Sequence, residues 1–195
     1  MRLSEAKRDH YRKLARKQGF RSRAAYKLLQ LNKKYNFLAE GNRVLDLGAS
    51  PGGWSQAASD AIGEKGFVMA VDLRPVNVNR QNIGAIKGNV FDDKTLLDIG
   101  DGFDVVLSDM APHMTGVWEH DQMRQENLAR RASEIALRTL KPGGSFICKV
   151  FDGEGIVELV RDLRKGFDFV NMTKPKASRR ESSELYVVCK GRHVN

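Results

Sequence analysis

The sequence has few residues of the kinds that crosslink a chain, bind metal ions or anchor a protein in a bilayer. Its two cysteines, Cys148 and Cys189, lie in apolar strand-like runs rather than in C-x-x-C pairs, so we expect buried thiols in a reducing compartment. The four histidines are scattered without metal-ligand spacing, and we assign no metal site. No apolar run approaches the roughly 20 residues that span a bilayer, and no signal-peptide core begins the chain. These absences predict a cytoplasmic protein with no membrane partner.

The positive charge is concentrated near the N-terminus. The chain of 195 residues carries 33 Lys and Arg against 24 Asp and Glu, but residues 1–34 contain 12 of the basic residues and only two acidic ones. A chain of this length fits one domain over residues 1–195, with a basic helical N-terminal arm at about residues 1–40. Such an arm on a near-neutral body predicts a surface for nucleic acid, with a merely solvated helix as the alternative.

Residues 46–54 form the most informative motif of the chain, D-x-G-x-x-P-G-G-W. The motif joins an apolar strand-like run to a helix-compatible run, and its glycines let the backbone approach a ligand closely. The spacing is neither G-x-G-x-x-G nor G-x-x-x-x-G-K-[ST], which argues against NAD and ATP. An acid before the first glycine suits a ligand with a charged amino-acid end, such as S-adenosyl-L-methionine (SAM). The alternative is a tight turn whose glycines serve packing alone.

Strand-like and helix-like segments alternate along the chain. The predicted strands are residues 43–48, 66–73, 84–90, 103–109, 144–151, 167–172 and 184–190. The predicted helices are residues 4–18, 22–37, 54–62, 120–140 and 153–165. The last two strands are separated only by a loop, so they should pair antiparallel. The pattern predicts an α/β, Rossmann-like fold of the SAM-dependent methyltransferase type: a seven-stranded, mostly parallel sheet with one antiparallel strand, flanked by helices.

Three acidic residues stand where strands are predicted to end. Asp72 ends the second strand, 20 residues after Gly52, where a carboxylate can accept hydrogen bonds from both hydroxyls of an adenosine ribose. Asp92 follows the third strand as a candidate for the exocyclic amine of adenine, with Asp93 as a close rival. Asp109 ends the fourth strand, at the sheet edge where doubly wound folds bind ligands. Each of these aspartates could instead cap a turn.

Two further charged residues lie in the last part of the predicted sheet. Lys149 stands among apolar and small residues of the fifth strand, where an ammonium group is costly unless it is paired or active. The alternative is a lysine that extends from an edge into solvent. Glu184 begins the last strand and by itself looks like an ordinary strand-start acid.

From about residue 11 to residue 191 the chain resembles the FtsJ/RrmJ ribose 2′-O-methyltransferases. The resemblance rests on several motifs in the right order, at residues 21–28, 46–56, 107–116, 149–155 and 183–187. That family uses a catalytic Lys-Asp-Lys-Glu tetrad, and the matching positions here are Lys27, Asp109, Lys149 and Glu184. The cofactor contacts implied by the resemblance are Gly52, Trp54, Asp72, Asp92 and Asp109.

The resemblance implies SAM as cofactor and RNA as substrate, with methylation of a uridine ribose in large-subunit ribosomal RNA. Lys149 would act as the general base for the ribose 2′-hydroxyl, and Asp109 would orient it. Glu184 would orient either Lys27 or the ribose. Nothing in the sequence indicates an obligatory protein partner.

Three alternatives remain open at the level of sequence. The same chemistry could act on a tRNA ribose, because tRNA-directed relatives share these motifs. A small-molecule methyltransferase is disfavoured by the basic arm and by the two lysines of the tetrad. A non-catalytic RNA-binding or ribosome-assembly factor with a vestigial SAM site is disfavoured because all four tetrad positions are retained.

Overall fold

The described residues contain seven strands and six helices, and the seven strands and five of the helices follow the order that the sequence predicts. The computed structural model describes residues 3–153, 155–179 and 181–194. The strands are β1 (Arg43–Leu47), β2 (Phe67–Asp72), β3 (Ile83–Lys87), β4 (Phe103–Ser108), β5 (Leu140–Phe151), β6 (Phe167–Thr173) and β7 (Glu184–Arg192). The helices are α1 (Leu3–Lys17), α2 (Ala25–Tyr35), α3 (Gly53–Ile62), α4 (Asp93–Ile99), α5 (Trp118–Thr139) and α6 (Gly155–Gly166).

The strands form one sheet in the order β3-β2-β1-β4-β5-β7-β6. All pairs from β3 to β5 are parallel, whereas β7 runs antiparallel to both β5 and β6. The seven-stranded Rossmann-like sheet and its antiparallel strand are therefore confirmed. The strand order reverses between β1 and β4, so the carboxyl ends of these two strands border the crevice in which such sheets bind ligands.

Helices cover both faces of the sheet. On one face α2 and α3 pack against the strands through a buried cluster that includes Leu28, Trp54 and Ile147. On the other face α4, α5 and α6 form a second cluster that includes Ile135 and Leu159. The apolar side of each helix meets the sheet, which buries the strands from both sides as parallel sheets require.

The two N-terminal helices differ in how they join this body. Ala25, Leu28 and Leu31 of α2 are fully or almost fully buried, so this helix is part of the core. The second half of α1 packs on α2 through a small cluster in which Ala15 lies against Tyr26. Arg12, Arg16 and Lys17 thus lie exposed on a helix that packs against the rest of the fold.

Several predicted boundaries were wrong. The helix predicted at residues 22–37 begins at Ala25, because residues 21–24 form turns. The seven-residue α4 was not predicted, since so short a helix buries only one small apolar face, formed by Thr95, Leu96 and Ile99. Strand β3 ends at Lys87 rather than at residue 90, and β5 begins at Leu140 rather than at residue 144. Within the described residues, no helix is long and apolar enough to cross a membrane.

Candidate active site

The turn between β1 and α3 brings backbone close to two neighbouring segments. Gly48 has a φ of 77°, and a Cβ added there would lie 2.6 Å from the Met110 side chain, just past the end of β4. Gly52 has a φ of 108°, and a Cβ there would overlap the Val78 side chain. Because positive φ and missing space both exclude ordinary side chains, the two glycines are required for this turn. The turn opens onto α3, whose first N–H groups have no partner within the helix.

Asp46 lies under this turn as a fully buried carboxylate. Its Oδ2 accepts a hydrogen bond of 2.6 Å from the Ser55 hydroxyl, whereas its Oδ1 has no hydrogen-bond partner among the described residues. Burial, reinforced by the negative charges of Asp109 and Asp72, raises the pKa of Asp46 to about 7. A buried acceptor without a partner is rare in folded proteins. With no partner for this oxygen among the described residues, an ionised Asp46 places an incompletely compensated negative charge under the turn.

The raised pKa of Asp46 predicts a specific pH dependence of stability. The folded protein binds this proton more tightly than the unfolded chain, whose carboxyl pKa is about 3.9. The Asp46 contribution to the free energy of unfolding therefore falls as the pH rises from about 4 to about 7, by about 4 kcal/mol at 1.36 kcal/mol per pKa unit.

Asp46→Asn should remove this contribution. In urea denaturation of the ligand-free protein, the free energy of unfolding of the variant should therefore rise relative to that of wild type as the pH increases across that range. Asp98→Asn, at an exposed position on α4, is the control and should leave the pH profile unchanged. A wild-type profile retained in Asp46→Asn would show that Asp46 is already ionised at pH 4.

Asp72 stands at the carboxyl end of β2, next to the same turn. Its Oδ2 accepts a hydrogen bond of 3.0 Å from the Ser50 backbone N–H, and its Oδ1 accepts one of 2.8 Å from the Arg74 backbone N–H. These bonds fix the carboxylate, and each oxygen keeps capacity for a further donor. A fixed carboxylate with two remaining acceptor sites suits the pair of hydroxyls on a ribose, as the sequence predicts.

Lys149 is held against the end of β4. The residue is only 4 % exposed, and its ammonium group donates a hydrogen bond of 2.7 Å to the Asp109 backbone carbonyl and lies 3.3 Å from Asp109 Oδ1. The alternative of a lysine extending from a sheet edge into solvent is therefore wrong. The two contacts fix the position of Nζ at the carboxyl edge of the sheet.

Lys27 and Glu184 form the second ion pair of the site. Lys27, 6 % exposed on α2, lies 2.9 Å from Glu184 Oε2 at the start of β7. Of the two predicted partners for Glu184, the structure shows Lys27. All four residues of the predicted tetrad thus lie together where β4, β5 and β7 meet α2.

Asp109 connects the two lysines electrostatically. Burial alone would raise the pKa of this carboxyl, but the charges of Lys149 and Lys27, together with a hydrogen bond from Tyr186, outweigh burial and hold the pKa below its usual range. Asp109 is therefore ionised at neutral pH, and its negative charge stabilises both ammonium groups.

Tyr186 belongs to the site, although sequence reasoning missed it. It pairs with Lys149 across β5 and β7, its hydroxyl donates a hydrogen bond of 2.7 Å to Asp109 Oδ1, and the Lys27 ammonium lies 5.8 Å from its ring centroid. Burial and the Asp109 charge raise the pKa of Tyr186 well above its ordinary value, so its hydroxyl remains a donor. The period of two in a strand was the available signal, because it places Tyr186 on the same face as Glu184.

Trp54 is buried against the side chains of the site and does not face solvent. The residue is 2 % exposed, and its indole donates a hydrogen bond of 2.9 Å to the Ala24 carbonyl and packs against Tyr186 with ring centroids 5.7 Å apart. The family resemblance implies a cofactor contact at Trp54. Since the indole N–H already has a partner, the group that Trp54 can offer a ligand is its backbone N–H in the first turn of α3.

Asp92 stands at the start of a helix rather than at the end of a strand. Asp92 is exposed and precedes α4 at its N-cap, five residues beyond the end of β3. Asn89 lies nearer to the strand edge, because the preceding Gly88 donates its N–H to the Asp72 carbonyl at 3.0 Å. If α4 had been recognised from the sequence, Asp92 and Asp93 would have been assigned to the start of that helix. Asn89 would then have been the polar candidate after the strand.

Comparison with known proteins decides the family. The FtsJ-like methyltransferase family matches residues 20–192, which include every residue of the tetrad. The chain belongs to the FtsJ-like methyltransferase family.

Relatives of this methyltransferase span nearly its whole length. The ribosomal RNA large subunit methyltransferase E of Methanothermobacter thermautotrophicus is 45 % identical over 190 residues, covering 95 % of this chain and 90 % of its own. The protein of the same name from Cenarchaeum symbiosum is 43 % identical and covers 98 % of both chains.

Solved structures agree with the fold. A ribosomal RNA methyltransferase from Plasmodium falciparum superposes with a TM-score of 0.80 at 29 % identity, covering 90 % of this chain and 100 % of its own. Aeropyrum pernix fibrillarin, solved with natively bound SAM, superposes with a TM-score of 0.61 at 20 % identity over 87 % of this chain and 74 % of its own, which shows a shared fold.

Proposed function

We propose that this FtsJ-like methyltransferase transfers a methyl group from SAM to the 2′-hydroxyl of a ribose, at a uridine of large-subunit ribosomal RNA. The observation that carries the proposal is the paired cluster of Lys149 with Asp109 and Lys27 with Glu184, at the same sheet edge as the glycine turn. The names of the relatives that span the whole chain support ribosomal RNA as the substrate class.

The residues around the glycine turn fit SAM. The Asp46 carboxylate lies buried under the turn, its Oδ1 has no hydrogen-bond partner among the described residues, and its negative charge suits the ammonium of the methionine part. Asp72 offers two fixed acceptors to the ribose hydroxyls, and the Gly52 turn presents backbone N–H groups where a side chain would not fit. Bound SAM supplies a methyl group on a positively charged sulfur. The chain must therefore align the ribose oxygen with that methyl group and remove a proton.

Lys149 is the group that we assign to proton removal. Its Nζ is fixed by the Asp109 carbonyl and carboxylate, so the lone pair of the neutral amine would have one defined direction. Glu184 holds Lys27 in place through the 2.9 Å ion pair.

Methyl transfer to defined RNA samples tests the substrate class. The protein is incubated with isotope-labelled SAM and, separately, with large ribosomal subunits, their protein-free ribosomal RNA, and tRNA. Label in either ribosomal sample, and not in tRNA, is the expected result. Label confined to tRNA would replace the proposal with the tRNA alternative, and label in none of them would contradict an RNA substrate.

The exposed basic residues of α1 are proposed to bind RNA phosphates. Arg12, Arg16 and Lys17 are exposed on this helix, which Ala15 anchors to the body. Changing all three to Gln should weaken RNA binding and reduce the slope of log affinity against log salt by about 0.7 to 0.9 for each lost phosphate contact. Titrations at several salt concentrations measure this slope.

A matched control removes three basic residues near the other end of the sheet, where β2 and β5 begin. Lys65, Arg138 and Lys141 are exposed there, and their joint change to Gln removes the same charge. The control should leave the salt slope close to wild type. An equal loss in both triple variants would mean that net charge, and not the α1 surface, determines RNA affinity.

A further inference from the structure

A pair of stacked aromatic rings, one exposed and one half-buried, stands beside the tetrad. Trp118, the first residue of α5, stacks on Phe151, the last residue of β5, with ring centroids 6.0 Å apart and an interplanar angle of 15°. Phe151 is opposite Glu184 in the β5–β7 pair, and Lys149 is two residues earlier on the same strand. Residues two apart on a strand point to the same face, with about 7 Å between their Cα atoms. The ring pair therefore adjoins the lysine that we assign to proton removal.

Trp118 is open to solvent at this place. It is 44 % exposed, although a tryptophan on a folded protein is usually largely buried. Its neighbours Met114 and Val117 are exposed as well, at 53 % and 46 %. No packing requirement of the fold explains an exposed apolar surface at the edge of an active site, and such surfaces commonly mark binding sites.

The segment that carries Trp118 is held in a fixed conformation. Asp121, 1 % exposed in the first turn of α5, accepts hydrogen bonds of 2.8 Å from the N–H and the hydroxyl of Thr115. It also accepts one of 3.1 Å from the Gly116 N–H. These bonds, led by that from the Thr115 N–H, lower the pKa of Asp121. Trp118 is thus a preorganised ring, which reduces the entropy lost when a ligand stacks on it.

We propose that Trp118, supported by Phe151, is a stacking platform for an unpaired base of the RNA substrate, at or next to the nucleotide whose ribose is methylated. The inference rests on the proposed function, because it takes RNA as the substrate. Proteins that recognise unpaired RNA stack its bases on aromatic side chains. The substrate ribose must lie beside Lys149, and the ring pair adjoins the tetrad. A base of the same substrate is therefore the group that we expect to stack on the rings.

Three variants of Trp118 test whether a planar ring is required. Trp118→Ala and Trp118→Leu should each raise the KM for ribosomal RNA by about 10- to 100-fold, the range expected for loss of one stacked base, with kcat changed by no more than about threefold. Trp118→Phe should restore KM to near wild type. The control is Phe169→Ala on β6, a ring of matched exposure (42 %) that should leave KM unchanged.

Fluorescence gives a second readout that does not depend on turnover. The chain has two tryptophans, and Trp54 is buried, so emission that changes on stacking reports Trp118. Adding a short single-stranded RNA oligonucleotide of mixed sequence should quench wild-type emission and leave that of Trp118→Phe nearly unchanged.

The outcomes separate this inference from the proposed function. If wild type methylates no RNA, the proposed function itself fails. If wild type methylates RNA but Trp118→Ala has an unchanged KM for ribosomal RNA, the stacking platform is refuted while the proposed function stands. The same conclusion follows if Trp118→Leu has the KM of wild type. Quenching that is equal in wild type and Trp118→Phe would also overturn the platform.

Discussion

Replacing Lys149 with arginine is expected to lower the rate constant for methyl transfer by about 10²- to 10⁴-fold, the usual contribution of general acid–base catalysis. A guanidinium group keeps its proton throughout the accessible pH range, so Arg can preserve the positive charge near Asp109 but cannot accept a proton from the ribose. Single-turnover kinetics with saturating RNA and labelled SAM measure this rate constant. SAM affinity, measured by calorimetry, should stay within about threefold of wild type.

Lys190→Arg is the matched control for this substitution. Lys190 lies on the neighbouring strand β7, where its ammonium donates a hydrogen bond of 2.9 Å to the Tyr35 carbonyl, outside the tetrad. The control should keep full activity. If Lys149→Arg turns over at a near-normal rate with an unchanged pH profile, Lys149 only positions the substrate electrostatically and the proton leaves by another route.

Replacing Asp109 with asparagine is expected to lower the free energy of unfolding by about 3–5 kcal/mol, the cost of leaving a buried charge without its partner. The variant keeps an acceptor for the Tyr186 hydroxyl but removes the negative charge beside Lys149, which is 4 % exposed. Urea denaturation at neutral pH measures the loss. Methyl transfer should fall as well, because the Lys149 ammonium loses one of its two fixed contacts.

Asp104→Asn is the matched control for Asp109→Asn. Asp104 is a partly exposed carboxylate paired with Lys141 at 2.7 Å, and exposed ion pairs contribute about 1 kcal/mol or less. A loss for Asp109→Asn no larger than for the control would contradict the stabilising role of the buried charge.

The pH dependence of the Asp109 contribution has the opposite sign to that of Asp46. Because the folded-state pKa of Asp109 is lowered, its stabilisation is present above the pKa of the unfolded carboxyl and is lost as the pH falls through the folded-state pKa. The difference in the free energy of unfolding between Asp109→Asn and wild type should therefore become smaller in strongly acidic solution.

The sequence predicted the sheet because its signals are local. Apolar runs, the glycine turn and the loop between the last two strands each fall within a dozen residues or so, and they determined the strand number and the antiparallel position of β7. Lys149 could also be predicted as a site residue from its local sequence, because a lysine in an apolar strand requires a partner. By contrast, α4 was missed because its seven residues carry too little periodicity to separate from a loop.

The remaining site residues depend on contacts between distant parts of the chain. Lys27 lies in a strongly basic segment and by itself looks solvated, yet the fold buries it against Glu184, 157 residues later. Only the family resemblance predicted that lysine. Tyr186 looked like an ordinary strand residue until the register of β5 and β7 placed it opposite Lys149. Such long-range pairings follow from tertiary packing, so a local signal such as the spacing of Glu184 and Tyr186 does not show which residues they meet.

Nucleoside analysis of RNA methylated by the purified protein tests the central claim most directly. Ribosomal RNA is incubated with the protein and isotope-labelled SAM, digested to nucleosides and analysed by mass spectrometry for the position of the label. The proposed function predicts label in 2′-O-methyluridine, and the assignment of Lys149 as the base predicts that this label is absent when the Lys149→Arg variant is used. Label on a nucleobase, or equal labelling by wild type and Lys149→Arg, would contradict the account.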